Sequence, residues 1–273
     1  MIKQAIIPLA GQGTRLLPLT SVIPKELLPI NGKPGLEYIL DECVDAGIKD
    51  IIFVISNKKK IIKKYFYNDN YFKKIIKKKK KNTQIKKDYY KIKKFKKMIK
   101  FVYQNSPQGT GDAVLRCQKL IKSKYFILLL PDDLIIKNNC TLSMVKLFNK
   151  YKSSIIASKK VKLKDVERWG IFKMKKFNKN NFFINDVVEK PSINKAPSTY
   201  AVIGRYILTK KIFGILKKQR PGKNGEIHIT DSIRTLIKQK QKFIGHIFSG
   251  KYLDCGTMKG YINSNLEISK LKS

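Results

Sequence analysis

The chain begins with a nearly unbroken apolar run, QAIIPLA (residues 4–10), that stops at Gly11. A short run of this kind predicts a buried strand breaking into a loop. PGLEYILDECVDAG (34–47) places Leu36, Ile39, Leu40, Cys43 and Val44 at helical spacing, with Pro34 in the first turn and Gly47 just past the end. That pattern predicts an amphipathic helix. DIIFVIS (50–56) is too apolar for a strand with one wet face. Strand, loop, helix and strand in this order predict a βαβ unit and a parallel sheet covered on both faces. Further along, IKFVYQ (99–104) predicts a strand and NSPQGTGDAVLRCQKLI (105–121) a glycine loop feeding a helix. YFILLLPDD (125–133) is the most apolar strand of the chain and ends on two aspartates. SSIIAS (153–158), RWGIF (168–172), NDVVEKP (185–191) and YAVIGRYIL (200–208) predict more strands. GEIHITDSIRTLI (225–237) predicts a helix entry, and YLDCGTMKGYINSNLEIS (252–269) a turn followed by a last helix. No repeat and no Gly/Ser/Pro linker interrupts the series, so residues 1–273 are expected to form one α/β domain with a mostly parallel central sheet flanked by helices.

One segment breaks the pattern. Residues 58–100 carry 20 lysines against two acids, Asp69 and Asp88. Pairs such as Ile61–Ile62, Tyr65–Phe66 and Ile75–Ile76 are spaced like the inner stripe of helices, so a helical insertion with a basic outer face is expected, loosened around KKKKKNTQ (77–84). The whole chain is similarly basic, with 59 Lys+Arg against 19 Asp+Glu and a net charge of +40. Such a balance raises the possibility of nucleic-acid binding, because clustered cations neutralise phosphates. Lysine supplies most of the excess, however, and arginine, the usual base reader, is scarce. The lysines are also spread along the full length, as a solvated face would have them, and no specific nucleic-acid partner is expected.

Cys43, Cys117, Cys140 and Cys255 make no C-x-x-C pair and no metal-ligand spacing. Buried free thiols and a reducing, cytoplasmic location are expected. The N-terminal apolar run is too short for a signal peptide, and no stretch approaches the ~20 apolar residues of a membrane span.

The candidate chemistry lies in the loop after the first strand, AGQGTRLLPLTSVIPKELLP (10–29). It is not a dinucleotide fingerprint, since Leu16 stands where G-x-G-x-x-G needs its third glycine. Nor does the region hold G-x-x-x-x-G-K-[ST], because Gly32–Lys33 is followed by Pro34. What it does offer is two glycines that let backbone approach a ligand, Arg15 as a planar fork for phosphate oxygens, and Lys25 as a point charge. All lie at the carboxyl end of a strand, where open α/β sheets bind ligands. The aspartate pair Asp132–Asp133 reads either as turn capping or as a metal ligand at the same sheet edge, with Asp132 the better placed.

LAGQGTRLLPLT…IPKELLP resembles the nucleotide-binding signature of the sugar-1-phosphate nucleotidyltransferases. The resemblance recurs in order through NGKPGLEYILDECVDAGI, QGTGDAVL, LLPDDL, WGI, VVEKP, AVIGRYIL, GEIHITDSI and LDCGTMKGY, covering nearly the whole chain. Pro24-Lys25-Glu26 favours the uridylyl branch over the thymidylyl one, which usually has Ser-Lys-Gln or Pro-Lys-Pro there. Transfer of another nucleotide or to another sugar phosphate is the alternative, and a degenerate nucleotide-sugar binder or a basic nucleic-acid binder the remote one.

The resemblance implies a Rossmann-like nucleotidyltransferase fold, UTP and glucose 1-phosphate as substrates, Mg²⁺ as cofactor and a homo-oligomer. It implies that Arg15 clamps the triphosphate, that Lys25 neutralises the α-phosphate, and that Ala10, Gly11, Gly13 and Glu26 surround the nucleotide. Gln104 and Gly109 would read the uracil edge. Asp132 would ligate Mg²⁺, with Asp254 as a second ligand. Glu189 and Lys190 would hold the sugar and its phosphate, and Gly170 and Gly204 would admit the hexose. Asp112 departs from the pattern, standing where the uridylyl branch commonly has histidine.

Overall fold

The computed structural model describes residues 2–222 and 225–271. In chain order the elements are β1 (Gln4–Pro8), β2 (Pro29–Ile30), β3 (Lys33–Pro34), α1 (Gly35–Asp45), β4 (Asp50–Ile55), α2 (Lys60–Tyr67), α3 (Asp69–Lys78), α4 (Thr83–Met98) and β5 (Ile99–Tyr103). Then come α5 (Thr110–Arg116), β6 (Tyr125–Leu129), β7 (Asp133–Ile136), α6 (Cys140–Tyr151), β8 (Ser154–Lys160), β9 (Gly170–Lys176) and β10 (Asn181–Glu189). The chain closes with β11 (Tyr200–Thr209), α7 (Ile212–Leu216), α8 (Ile229–Lys238), β12 (Phe243–Ile247), β13 (Lys251–Asp254) and α9 (Met258–Ser269).

One nine-stranded sheet runs in the order β5-β4-β1-β6-β11-β8-β12-β10-β9. Its first four strands are parallel, as the βαβ pattern predicts. The second half is mixed: β11 lies antiparallel between β6 and β8, and β9 and β10 form an antiparallel hairpin. The mostly parallel expectation fails there because β9, β10 and β11 follow one another without crossover helices, which antiparallel pairing permits. β11 is buried along almost its whole length, so it carries the continuous apolar run usually taken for a parallel strand.

Helices cover both faces. One core packs α1, α6 and the inner sides of α2 and α4 on the sheet; the other packs α5, α7 and α8. α1 begins after Pro34 (φ −53°) and is followed by Gly47 in the left-handed region (φ 79°), the start and stop its sequence predicts. The glycine-loop helix α5 ends at Arg116, short of the predicted 121. Residues 251–254 form a strand, not the expected turn. β13 pairs with β7, a strand that apolar patterning did not reveal, and sets Asp254 opposite Asp133.

The basic insertion is helical, with a break after Lys78. α2 buries Ile62 and Phe66, and α4 buries Tyr89, Ile92 and Phe95, while α3 buries no residue fully. Phe66 packs on Phe53 of β4 with ring centroids 5.8 Å apart. Few lysines here are structural. Lys91 ties α4 to Glu37 and Asp41 of α1 at 2.9 Å each, and Lys96 reaches Asp69 at 2.5 Å. Most of the others are exposed, as a solvated face requires.

Across the centre lies a fully buried ion pair. Arg205 of β11 donates to both carboxylate oxygens of Glu42 in α1 (2.8–3.1 Å) and to the carbonyls of Leu130, Gly204 and Asp133. Thr141 donates to Glu42 as well, through both N–H and hydroxyl. A buried pair need not add net stability, but removing one member strands the other. Glu42→Leu is therefore expected to cost about 3–5 kcal/mol in denaturant unfolding, and the double variant Glu42→Leu/Arg205→Met to recover at least half of that loss. Equal losses in the two proteins would contradict this account of the pair.

Candidate active site

β1 ends at the carboxyl edge of the parallel half, and its loop turns there because Gly13 takes a left-handed conformation (φ 73°) before the short 3-10 turn Thr14–Leu16. A Cβ on Gly13 would stand 3.2 Å from Thr20, whose hydroxyl donates to the Gly13 carbonyl (2.8 Å). A Cβ on Gly11 would meet nothing within 4 Å, so this glycine borders open space. Both border a cavity of about 450 Å³ whose walls also include Ala10, Lys25, Glu26, Gln104, Gly109 and Asp132. A second cavity of about 560 Å³ adjoins it, walled by Arg15, Gly170, Glu189, Lys190, Gly204 and Asp254. Asp132, Leu130, Thr110 and Glu226 line both. All the residues singled out in the sequence thus gather in one two-lobed cleft.

The junction of the lobes is ionic. Lys25 Nζ donates to Asp132 Oδ2 at 2.7 Å, and Arg15 Nη2 stands 3.8 Å from the same oxygen. Burial acts against both charges. It is outweighed by their mutual attraction, so Lys25 is shifted up and the Asp132 carboxyl down from their ordinary values. Arg15 is largely solvent-exposed, at 63 % of its side chain, so it is free to swing onto an anion.

Asp254 is held by Arg168 at 2.8 Å and by the Gly256 N–H at 2.9 Å. Gly256 is the decisive residue that the sequence pattern did not flag. A Cβ there would lie 2.8 Å from Asp132 Oδ2, 3.1 Å from Arg15 Nη2 and 3.2 Å from Asp254 Oδ1. Its missing side chain is the space in which the two carboxylates and the guanidinium converge. No local pattern could signal this, since the convergence is between distant segments.

Asp133 faces the other way. It accepts from Tyr252 Oη (2.7 Å) and the Gly204 N–H (2.8 Å). Burial, and then the Asp132 charge beside it, push its carboxyl up to about 6. Asp132 thus lies at the junction of the lobes, while Asp133, which borders only the second, is engaged by Tyr252 and Gly204.

On the sugar side, Glu189 Oε2 accepts from the Thr230 hydroxyl (2.7 Å), an orienting partner that sequence reading passed over. Lys190 lies 3.9 Å from Glu189 and has a positive φ of 43°. The space beside Gly204 is filled, since a Cβ would meet Asp133 and Leu130 at 2.4–2.5 Å, and its N–H and carbonyl are already bonded. Gly204 therefore leaves Asp133 and Leu130 the room they occupy, while it also borders the second cavity. Glu26 lines the nucleotide-side lobe, but Lys59 at the head of the basic insertion takes both its carboxylate oxygens at 2.8–2.9 Å.

A model of the nucleotidyl transferase family matches residues 4–270. The chain belongs to the nucleotidyl transferase family. It is 36% identical to the UTP–glucose-1-phosphate uridylyltransferase of Pseudomonas aeruginosa, over 97% of this chain and 95% of that one. Among solved structures it resembles a UDP-glucose pyrophosphorylase complexed with UDP-glucose (TM-score 0.88, 38% identity, 99% of each chain covered). It also resembles an apo UDP-glucose pyrophosphorylase (TM-score 0.90, 36% identity, 100% of each chain covered). Membership agrees with the cleft as built: cations at the mouth of β1, carboxylates at the end of β6. No helix among the described residues is long and apolar enough to cross a membrane.

Gly256→Ala is expected to lower nucleotidyl transfer at least about tenfold, because displacing charged groups by a fraction of an ångström weakens positioning, while the melting temperature stays within a few degrees. Unchanged activity would show that the convergence at Gly256 is not used.

Proposed function

We propose that this chain transfers the uridylyl group of UTP to glucose 1-phosphate, giving UDP-glucose and pyrophosphate. The observation that carries the reading is the junction of the two lobes: Asp132 lines both, with Lys25 on one side and Arg15 on the other, where a nucleotide in one lobe and a sugar phosphate in the other would bring their phosphates together. The P. aeruginosa relative and the solved pyrophosphorylases support the choice of substrates.

In this reaction an oxygen of the glucose 1-phosphate attacks the α-phosphorus of UTP, and the bond to the departing pyrophosphate breaks. The nucleophile is already an anion, so no general base is called for. The task is to bring two polyanions together and to stabilise the negative charge of the transition state, which is work for positioning and for cations. Lys25 moves part of its interaction from Asp132 to the α-phosphate, and Arg15 closes on the triphosphate. Ala10, Gly11 and Gly13 carry the nucleotide along their backbone, and Gln104 and Gly109 face its base. Glu189, oriented by Thr230, accepts hydrogen bonds from sugar hydroxyls; Lys190 meets the sugar phosphate, with Gly170 alongside.

The family uses a divalent metal, and here Mg²⁺ is the proposed ion. Among the described residues no cluster of three or more His, Cys, Asp or Glu could hold a metal, but two hard carboxylates plus substrate phosphates suit Mg²⁺, which keeps water and phosphate ligands. Asp132 and Asp254 converge on the Gly256 space and would hold it. Once bound, the ion would supply further neutralisation of phosphate charge.

Formation of UDP-glucose from UTP, glucose 1-phosphate and Mg²⁺ tests the proposal. Lys25→Ala and Asp132→Ala are each expected to lower kcat/KM by about 10²–10³. An inactive wild type, or full activity in both variants, would overturn it.

A further inference from the structure

The base-side wall contains a buried polar relay that the reaction chemistry does not call for. Gln104 follows β5 and is held by its own N–H, which donates to the Ile55 carbonyl (2.8 Å). Its side-chain Nε2 donates to Asp112 Oδ2 at 2.6 Å and to the Gly109 carbonyl at 3.2 Å. A carboxylate and a carbonyl are acceptors only. The amide therefore has one allowed orientation, because a flipped amide would set Oε1 against two oxygens. Both amide hydrogens are used, and among the described residues no group donates to Oε1. Since Gln104 lines the 450 Å³ lobe, the atom it can offer a ligand is an acceptor.

The frame that imposes this orientation is itself fixed. Arg116 Nε, one helical turn on, donates to the same Asp112 oxygen at 2.8 Å. The Gly109 carbonyl is aimed by a loop with φ 98°, in which a Cβ would strike the Ile227 carbonyl at 2.7 Å. The Gln108 carbonyl accepts from the Ile227 N–H at 2.8 Å, closing that loop onto the segment before α8.

We propose that Asp112 is a positioning residue for base selection, which holds the Gln104 amide with its oxygen toward the cavity so that the lobe selects a pyrimidine with a ring N–H donor. The proposal rests on the uridylyl reading of the cleft. Uracil and 5-methyluracil carry N3–H and donate to Oε1. Cytosine has a lone pair at N3 and meets oxygen with nitrogen, leaving a buried acceptor unpaired, which is the usual basis of strong discrimination. The relay thus separates UTP from CTP and is blind to a methyl group at C5.

The test is equilibrium binding of UTP, 5-methyl-UTP and CTP to wild type, Asp112→Ala, Asp112→Asn and Gln104→Met, with KM and kcat measured alongside. Asp112→Ala is expected to weaken UTP and 5-methyl-UTP alike, by about tenfold, the worth of one hydrogen bond, to leave CTP unchanged, and to act on the KM for UTP more than on kcat. Asp112→Asn keeps an acceptor for Nε2 and is expected to recover most of the preference for UTP. If Asp112→Ala does not fold, Asp112→Asn with Gln104→Met decides the matter: Asn is expected to keep the preference and Met to lose it. A UTP:CTP preference that survives Asp112→Ala or Gln104→Met, or a parallel loss of all three nucleotides, overturns the inference. A wild type that binds neither UTP nor CTP overturns the uridylyl reading itself.

Discussion

The cleft is organised around one ion pair, Lys25 with Asp132 at 2.7 Å. It joins the signature loop after β1 to the end of β6, so two segments more than 100 residues apart converge on one point at the carboxyl edge of the sheet. Burial opposes both charges, and the pair holds because each supplies the other's counter-charge. The neighbouring contacts take their positions from it. Arg15 hangs over the same carboxylate, the Cys255 N–H donates to the Asp132 carbonyl at 2.8 Å, and Glu26 beside Lys25 is occupied by Lys59. In the proposed reaction a bound phosphate or cation would exchange partners with this pair and so enter a site already charged and oriented, which is the preorganisation that phosphate chemistry rewards.

Behind the pair lies a second, wholly internal set of charges. Arg205 binds Glu42 and three carbonyls, while Asp133 accepts from Tyr252 and Gly204. These contacts stitch α1, β7, β11 and β13 together next to Asp132. Two adjacent aspartates therefore stand in different settings, one paired with Lys25 at the junction of the lobes and one bonded to Tyr252 and Gly204, and the difference comes from partners, not from residue type.

The parallel half of the fold was readable from sequence because β1, β4 and β6 are rich in consecutive apolar residues, and α1 carries its own start and stop signals. The antiparallel half was not, because β11 is covered on both sides and looks like a parallel strand, while β7 and β13 are four residues each and owe their pairing to one another. In the site, Arg15, Lys25, Asp132, Asp254, Glu189 and Lys190 could be named in advance because their types and order resemble a known signature. Thr230, Arg168 and Gly256 could not, since each matters through a neighbour distant in sequence. The partners of Glu26 and Gly204 were hidden for the same reason: nothing local announces Lys59, 33 residues from Glu26, or the Asp133 carboxylate beside the glycine.

The +40 charge of the chain is a separate matter from this chemistry. Most lysines of the 58–100 insertion face solvent; Lys91 and Lys96 brace helices, Lys100 meets Asp50, and Lys59 reaches the signature loop at Glu26. The most direct test of the account is a double-mutant cycle on the ligand-free protein, with Lys25→Met, Asp132→Asn and both together, followed by denaturant unfolding. A pair that organises the cleft predicts a coupling of about 1–3 kcal/mol, with the double variant more stable than the sum of the single losses. Additive losses would contradict it.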